Sequence, residues 1–171
     1  IHIDFGVIKL LADECTRVGI STPLVVTDAG VCAAGVLAQA TAALGSLPYA
    51  VFDGTPSNPT EAGVRAAVQC LRDAGCDGLV AVGGGSSIDL AKGVAIAATH
   101  EGPLKHYATI EGGSPRITDR VLPLIAVPTT CPPFAPSQIS VCCPGEPKSY
   151  CAPPVVPAAA ALSALPSLDT L

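Results

Sequence analysis

Residues 83–87 read Gly-Gly-Gly-Ser-Ser inside the stretch LVAVGGGSSIDLAKGVAIAA. They close an apolar run that reads as a strand and open a pattern that reads as a helix. A backbone without Cβ atoms lets a ligand come close. A helix starting near Ser86 aims unpaired N–H groups and a partial positive charge at the same spot. Together these features suit an anion such as a phosphate or pyrophosphate at Gly83, Gly84 and Gly85. The alternative is a glycine turn that serves only tight strand–helix packing. Ser86 and Ser87 either add hydroxyl donors or cap the helix. Asp89 lies in the first turn, where it favours the dipole but would repel a phosphate if it faced inward, so it is expected to face another part of a ligand. The run is neither G-x-G-x-x-G nor a P-loop, because no G-K-[ST] follows and Lys92 comes too late.

Other polar residues sit where neighbouring apolar runs end. Asp28 closes TPLVVTD. A carboxylate there accepts hydrogen bonds from a ribose 2′-hydroxyl and repels a 2′-phosphate, favouring NAD over NADP; otherwise it is an Asx-turn residue capping the next helix. Asn58, in SNPT, is a helix cap or a ligand contact. Thr129 and Thr130 are ligand hydroxyls or simple strand-end residues after Pro128.

These residues need elements to position them. TPLVVTDAG predicts a strand over residues 23–27, and GVCAAGVLAQATAALGS one helix with Gly45 near its C-cap. YAVFDG reads as a second strand. SNPTEAGVRAAVQCLRDAG is the clearest helix, with Val64, Val68 and Leu71 on one face and a start marked by Asn58, Pro59, Thr60 and Glu61. CDGLVAVGGG is a third strand, SSIDLAKGVAIAATHEG a third helix, and VLPLIAVPTT a fourth strand. Strands that are apolar without alternation, joined by helices, imply an α/β fold: a parallel sheet covered on both faces. Such sheets bind ligands beyond the carboxyl ends of their strands, where Asp28, Asp53, the glycines and the two threonines fall. From Cys131 the pattern gives way to a proline- and cysteine-rich stretch in which SQISVCC reads as a short strand.

A chain of 171 residues suits one domain with a substantial core, and at 49% hydrophobic but 4% aromatic that core is built from Ala, Val, Leu and Ile. The formal charge of −5 and the lack of a basic stripe exclude nucleic-acid binding on electrostatic grounds. The longest apolar run is broken by prolines and too short to span a bilayer, so no membrane partner is expected. No basic region precedes an apolar stretch at the start, which predicts no signal peptide and a cytoplasmic protein. The chain contains no Met, which predicts a fragment or a trimmed product. None of the eight cysteines forms a C-x-x-C pair, so a zinc ribbon is excluded. Cys15, Cys32, Cys70 and Cys76 read as small buried apolar residues; a disulfide framework is the sharper alternative. His100 and His106 read as solvated rather than metal-binding, being six residues apart in sequence with no third partner.

PLVVTDAG, SNPT, DGLVAVGGGSSIDLAKGVAI and PLIAVPTT occur in this order and at these separations. That series resembles the nucleotide-binding domain of the iron-containing alcohol dehydrogenase family, which includes lactaldehyde reductases, glycerol dehydrogenase relatives and maleylacetate reductases. The resemblance covers residues 5–130 well and implies a Rossmann-like sheet. It implies that Asp28 reads the adenosine ribose and that Asn58 lies near the cofactor. Gly84, Gly85, Ser86 and Ser87 would form the pyrophosphate loop, Asp89 would lie near the nicotinamide end, and Thr129 and Thr130 would hold the nucleotide. Lys148 matches a downstream lysine that contacts the cofactor.

The departures are equally specific. After Thr130 the family's A-G-T-G-S-E is replaced by CPPFAPS, in which proline offers no N–H. The resemblance resumes in PPVVPAAAALSALPSLDTL, the pattern left by a local frameshift or a sequence error. The expected organisation is a nucleotide-binding α/β domain over residues 1–130, a Pro/Cys-rich segment over 131–156, and over 157–171 the start of a crossover to an all-helical domain that this chain lacks. In the family that domain carries one Asp and three His holding Fe²⁺ or Zn²⁺, ligands with no counterpart here. The expected function is therefore the NAD-binding part of an alcohol dehydrogenase, inactive alone. A non-catalytic nucleotide-binding or interaction module and a non-functional remnant are the alternatives. The expected partner is a nicotinamide dinucleotide, with a homo-oligomer left open.

Overall fold

A computed structural model describes residues 2–3, 6–129 and 138–142. Its strands are β1 (His2–Ile3), β2 (Pro23–Val26), β3 (Ala50–Phe52), β4 (Gly78–Gly83), β5 (Leu124–Pro128) and β6 (Gln138–Cys142). Its α-helices are α1 (Leu11–Arg17), α2 (Ala29–Ala33), α3 (Val36–Ala43), α4 (Glu61–Asp73) and α5 (Gly85–Ala97). The strands form one sheet in the order β1-β6-β5-β4-β2-β3. The expected parallel core is present, because β3, β2, β4 and β5 pair in parallel. Two strands extend it in the opposite sense: β6 runs antiparallel to β5, and β1 antiparallel to β6. SQISVCC thus contributes a strand, whereas β1 and α1 have no counterpart in the sequence reading.

Alternate residues of the central strands feed two separate cores. Leu24, Val26, Leu79, Ala81 and Leu124 pack beneath α4 and α5. Val25, Val80, Val82, Ile125 and Val127 face the other way, against Leu11, Cys15, Val31, Ala40 and Leu44. Burial on both faces explains why β2 and β4 are apolar at every position, and each fully buried Leu or Val contributes about 1.5–3 kcal/mol. In α4 the inward residues Val64, Ala67, Val68 and Leu71 repeat at helical spacing.

Three local expectations are corrected. The helix over GVCAAGVLAQATAALGS is two helices, because Gly35 between α2 and α3 adopts φ +74°. Gly45, at φ +62°, does follow the end of α3. The cap of α4 is Thr60, whose hydroxyl accepts from Gly63 N–H at 3.1 Å, so Asn58 is not the cap. His100 is buried, not solvated, at 8% exposure. Its Nε2 accepts from Thr118 N–H at 2.9 Å, which leaves the proton on Nδ1 near Ile96 O. His106 is exposed. Cys15 and Cys76 are buried, Cys32 and Cys70 half-buried, and all four are free thiols.

Candidate functional site

The parallel strands bring their carboxyl ends to one edge of the sheet. The chain leaving β2 enters α2 and α3 on one face, whereas the chain leaving β4 enters α5 on the other. Because β2 and β4 are neighbours, these divergent connections open a crevice between them, the switch point at which open α/β sheets bind ligands. A cleft of about 690 Å³ lies there. Asp28, Gly30, Val31, Thr55, Ser57, Gly84, Gly85, Ser86 and Thr129 are among the residues that line it.

One wall is the start of α5. Gly84 is the N-cap and supplies no side-chain acceptor, and the first helical bond runs from Ile88 N–H to Gly84 O at 3.2 Å. The amides of Gly84, Gly85 and Ser86 have no partner within the helix and belong to residues lining the cleft. A Cβ built on Gly85 meets nothing within 4 Å, so the protein's own packing does not require glycine there. Gly83 differs: its φ is +155°, and a Cβ would overlap Ser87 Oγ.

The serine hydroxyls are engaged within the protein. Ser86 Oγ donates to Ser57 O, joining the glycine loop to the loop after β3. Ser87, fully buried, lies behind the cleft wall and donates to Asp28 Oδ2 at 3.1 Å. Asp28 is the N-cap of α2, its Oδ1 accepting from Val31 N–H at 3.0 Å, and it also lines the cleft. Asp28 is thus the cap that the sequence offers as one alternative, and the same side chain borders the cleft. Thr129 lines the cleft and donates its N–H to Gly83 O at 2.9 Å.

Two candidates fall elsewhere. Asn58 is exposed and not among the lining residues, where Ser57 stands instead. Asp89 pairs with Lys92 Nζ at 2.9 Å and also lies outside the lining. Thr130, Lys148 and the CPPFAPS departure lie outside the described residues. Thr55 and Ser57 were missed in the sequence, although they follow the second strand at the same sheet edge as Asp28. Thr55 is 8% exposed and its hydroxyl oxygen is buried without a partner, as is that of Thr27.

Asp28 is the charged side chain among the described lining residues, so an anion here would rest on backbone amides rather than on a cation. Burial, aided by the carboxylates of Asp53 and Asp28, pushes the Cys32 thiol up from its ordinary range, which makes it a poor nucleophile. Among the described residues no group of three or more His, Cys, Asp or Glu is arranged to hold a metal ion. No helix among them is long and apolar enough to cross a membrane.

Comparison with known proteins agrees with this architecture. The family model for iron-containing alcohol dehydrogenase matches residues 1–163. The 4-hydroxybutyrate dehydrogenase of Cupriavidus necator is 69% identical over 130 residues, 76% of this chain and 34% of that protein. A crystal structure of 1,3-propanediol oxidoreductase aligns with TM-score 0.66 at 36% identity, over 73% of this chain and 32% of the other. Sulfoacetaldehyde reductase from Bifidobacterium kashiwanohense, solved in complex with NAD⁺, aligns with TM-score 0.66 at 26% identity, over 75% of this chain and 34% of the other. The chain spans about one third of the length of the relatives it matches.

Proposed function

The chain belongs to the iron-containing alcohol dehydrogenase family, and from that premise we propose that its cleft binds NAD as part of an alcohol dehydrogenase. The observation that carries the proposal is the meeting, across one crevice, of an uncapped helix N-terminus and a carboxylate. The amides at Gly84, Gly85 and Ser86 receive the pyrophosphate, and Asp28 receives the adenosine ribose hydroxyls. Two features fit a bound nucleotide. The space over Gly85 is open to a phosphate, and Thr55 brings a buried, unpartnered hydroxyl to the wall. NAD, when bound, supplies the hydride acceptor for alcohol oxidation. The protein's part is to fix the dinucleotide's register from its phosphate and ribose ends.

The metal implied by the family finds no ligand set among the described residues. For the whole protein we propose a primary alcohol as substrate. 4-Hydroxybutyrate is the first to test, since the relative at 69% identity is a 4-hydroxybutyrate dehydrogenase. A fluorescence titration with NADH tests the cofactor site. Saturable binding that weakens in Gly85→Ala is expected, and no binding would reject it.

A further inference from the structure

The carboxylate expected to read the ribose is held from two sides. Val31 N–H fixes Asp28 Oδ1 at 3.0 Å, and Ser87 Oγ fixes Oδ2 at 3.1 Å. An aspartate held by one oxygen can still turn about its final torsion, whereas one held by both cannot. Ser87 is fully buried and is not among the lining residues, so it meets no ligand. Its hydroxyl reaches Asp28 from a residue 59 positions away in sequence, on the helix that also carries the anion site. Gly83 makes the contact possible: a Cβ there would stand 2.8 Å from Ser87 Cβ and 3.3 Å from Asp28 Oδ2.

We propose that Ser87 is a positioning residue for nucleotide selection: by fixing the plane of the Asp28 carboxylate, it sets the preference for a free ribose 2′-hydroxyl over a 2′-phosphate. The inference rests on the cofactor site described above. A fixed carboxylate accepts from the ribose diol and keeps its charge against the 2′ position. Released from Ser87, it can turn aside, which weakens the diol contact and relieves repulsion of a phosphate.

The test is titration of NADH and NADPH into the unsubstituted chain, Ser87→Ala, Asp28→Ala and the double variant, with thermal unfolding of each as a check on folding. Alanine is well tolerated in a helix, so Ser87→Ala is expected to fold. Losing one hydrogen bond should narrow the NADH-over-NADPH preference by about threefold to tenfold, chiefly through weaker NADH binding. In the Asp28→Ala background the same change should do nothing further, because Ser87 acts only through Asp28. Equal weakening of both nucleotides, or an equal effect of Ser87→Ala with and without Asp28, would overturn the selection role while leaving the cofactor site intact. Failure of the unsubstituted chain to bind either nucleotide would reject the site itself, and this role with it.

Discussion

Ser86 donates its hydroxyl to the carbonyl oxygen of Ser57, and both residues line the cleft. This bond ties the glycine loop after β4 to the loop after β3, so the Ser86 hydroxyl is already spent within the protein. An anion at this wall would be held by backbone amides. Ser86→Ala is therefore expected to lower stability by about 1 kcal/mol in urea unfolding, the usual worth of such a bond. It should weaken NADH less than Gly85→Ala does. A larger effect on NADH than that of Gly85→Ala would show that the hydroxyl, not the backbone, holds the phosphate.

Two glycines in the same loop should respond in opposite ways. Gly83 has φ +155° and no room for a Cβ beside Ser87. Gly83→Ala is expected to destabilise the chain by about 2–5 kcal/mol, from backbone strain and overpacking together. Gly85 has open space, and Gly85→Ala should leave stability unchanged or raise it by up to about 1 kcal/mol. The same change should weaken NADH at least about tenfold, since its Cβ occupies the ligand's approach. Urea midpoints and nucleotide titrations on the two variants separate packing from binding.

Cys15 is fully buried, and burial, reinforced by the negative charges of Asp77 and Glu14, pushes its thiol up to about 11 from 9.0. The folded state thus holds its proton more tightly than the unfolded state. The resulting stability is fully present below about pH 9 and is lost as pH rises toward about 11, where the unfolded thiol ionises first. Urea unfolding across that window should show the loss, and Cys15→Ala should flatten it relative to the unsubstituted chain. At pH 8 the folded protein should resist thiol reagents at Cys15 until it is unfolded.

The parallel core was legible because β2 and β4 lie between two covered faces, and this forces an unbroken apolar run. The sheet-edge site was legible for the same reason, since parallel strands send Asp28, Gly84, Gly85 and Thr129 to one side. The split between α2 and α3 was not, because an alanine-rich helical pattern runs straight through Gly35 and only its positive φ breaks it. Nor was the burial of His100, whose partner Thr118 lies 18 residues on in a stretch without period. The Asp28–Ser87 bond joins residues from separate elements across the strand pair, a proximity no local pattern encodes.

The most direct measurement is a titration of NADH and of NADPH into this chain and into Asp28→Ala, followed by nucleotide fluorescence. Saturable NADH binding is expected, with NADPH at least about tenfold weaker, a gap of about 1.4 kcal/mol that closes in Asp28→Ala. Binding of neither nucleotide, or equal binding of both with no effect of Asp28→Ala, would contradict a cleft in which the α5 amides take the pyrophosphate and Asp28 reads the ribose.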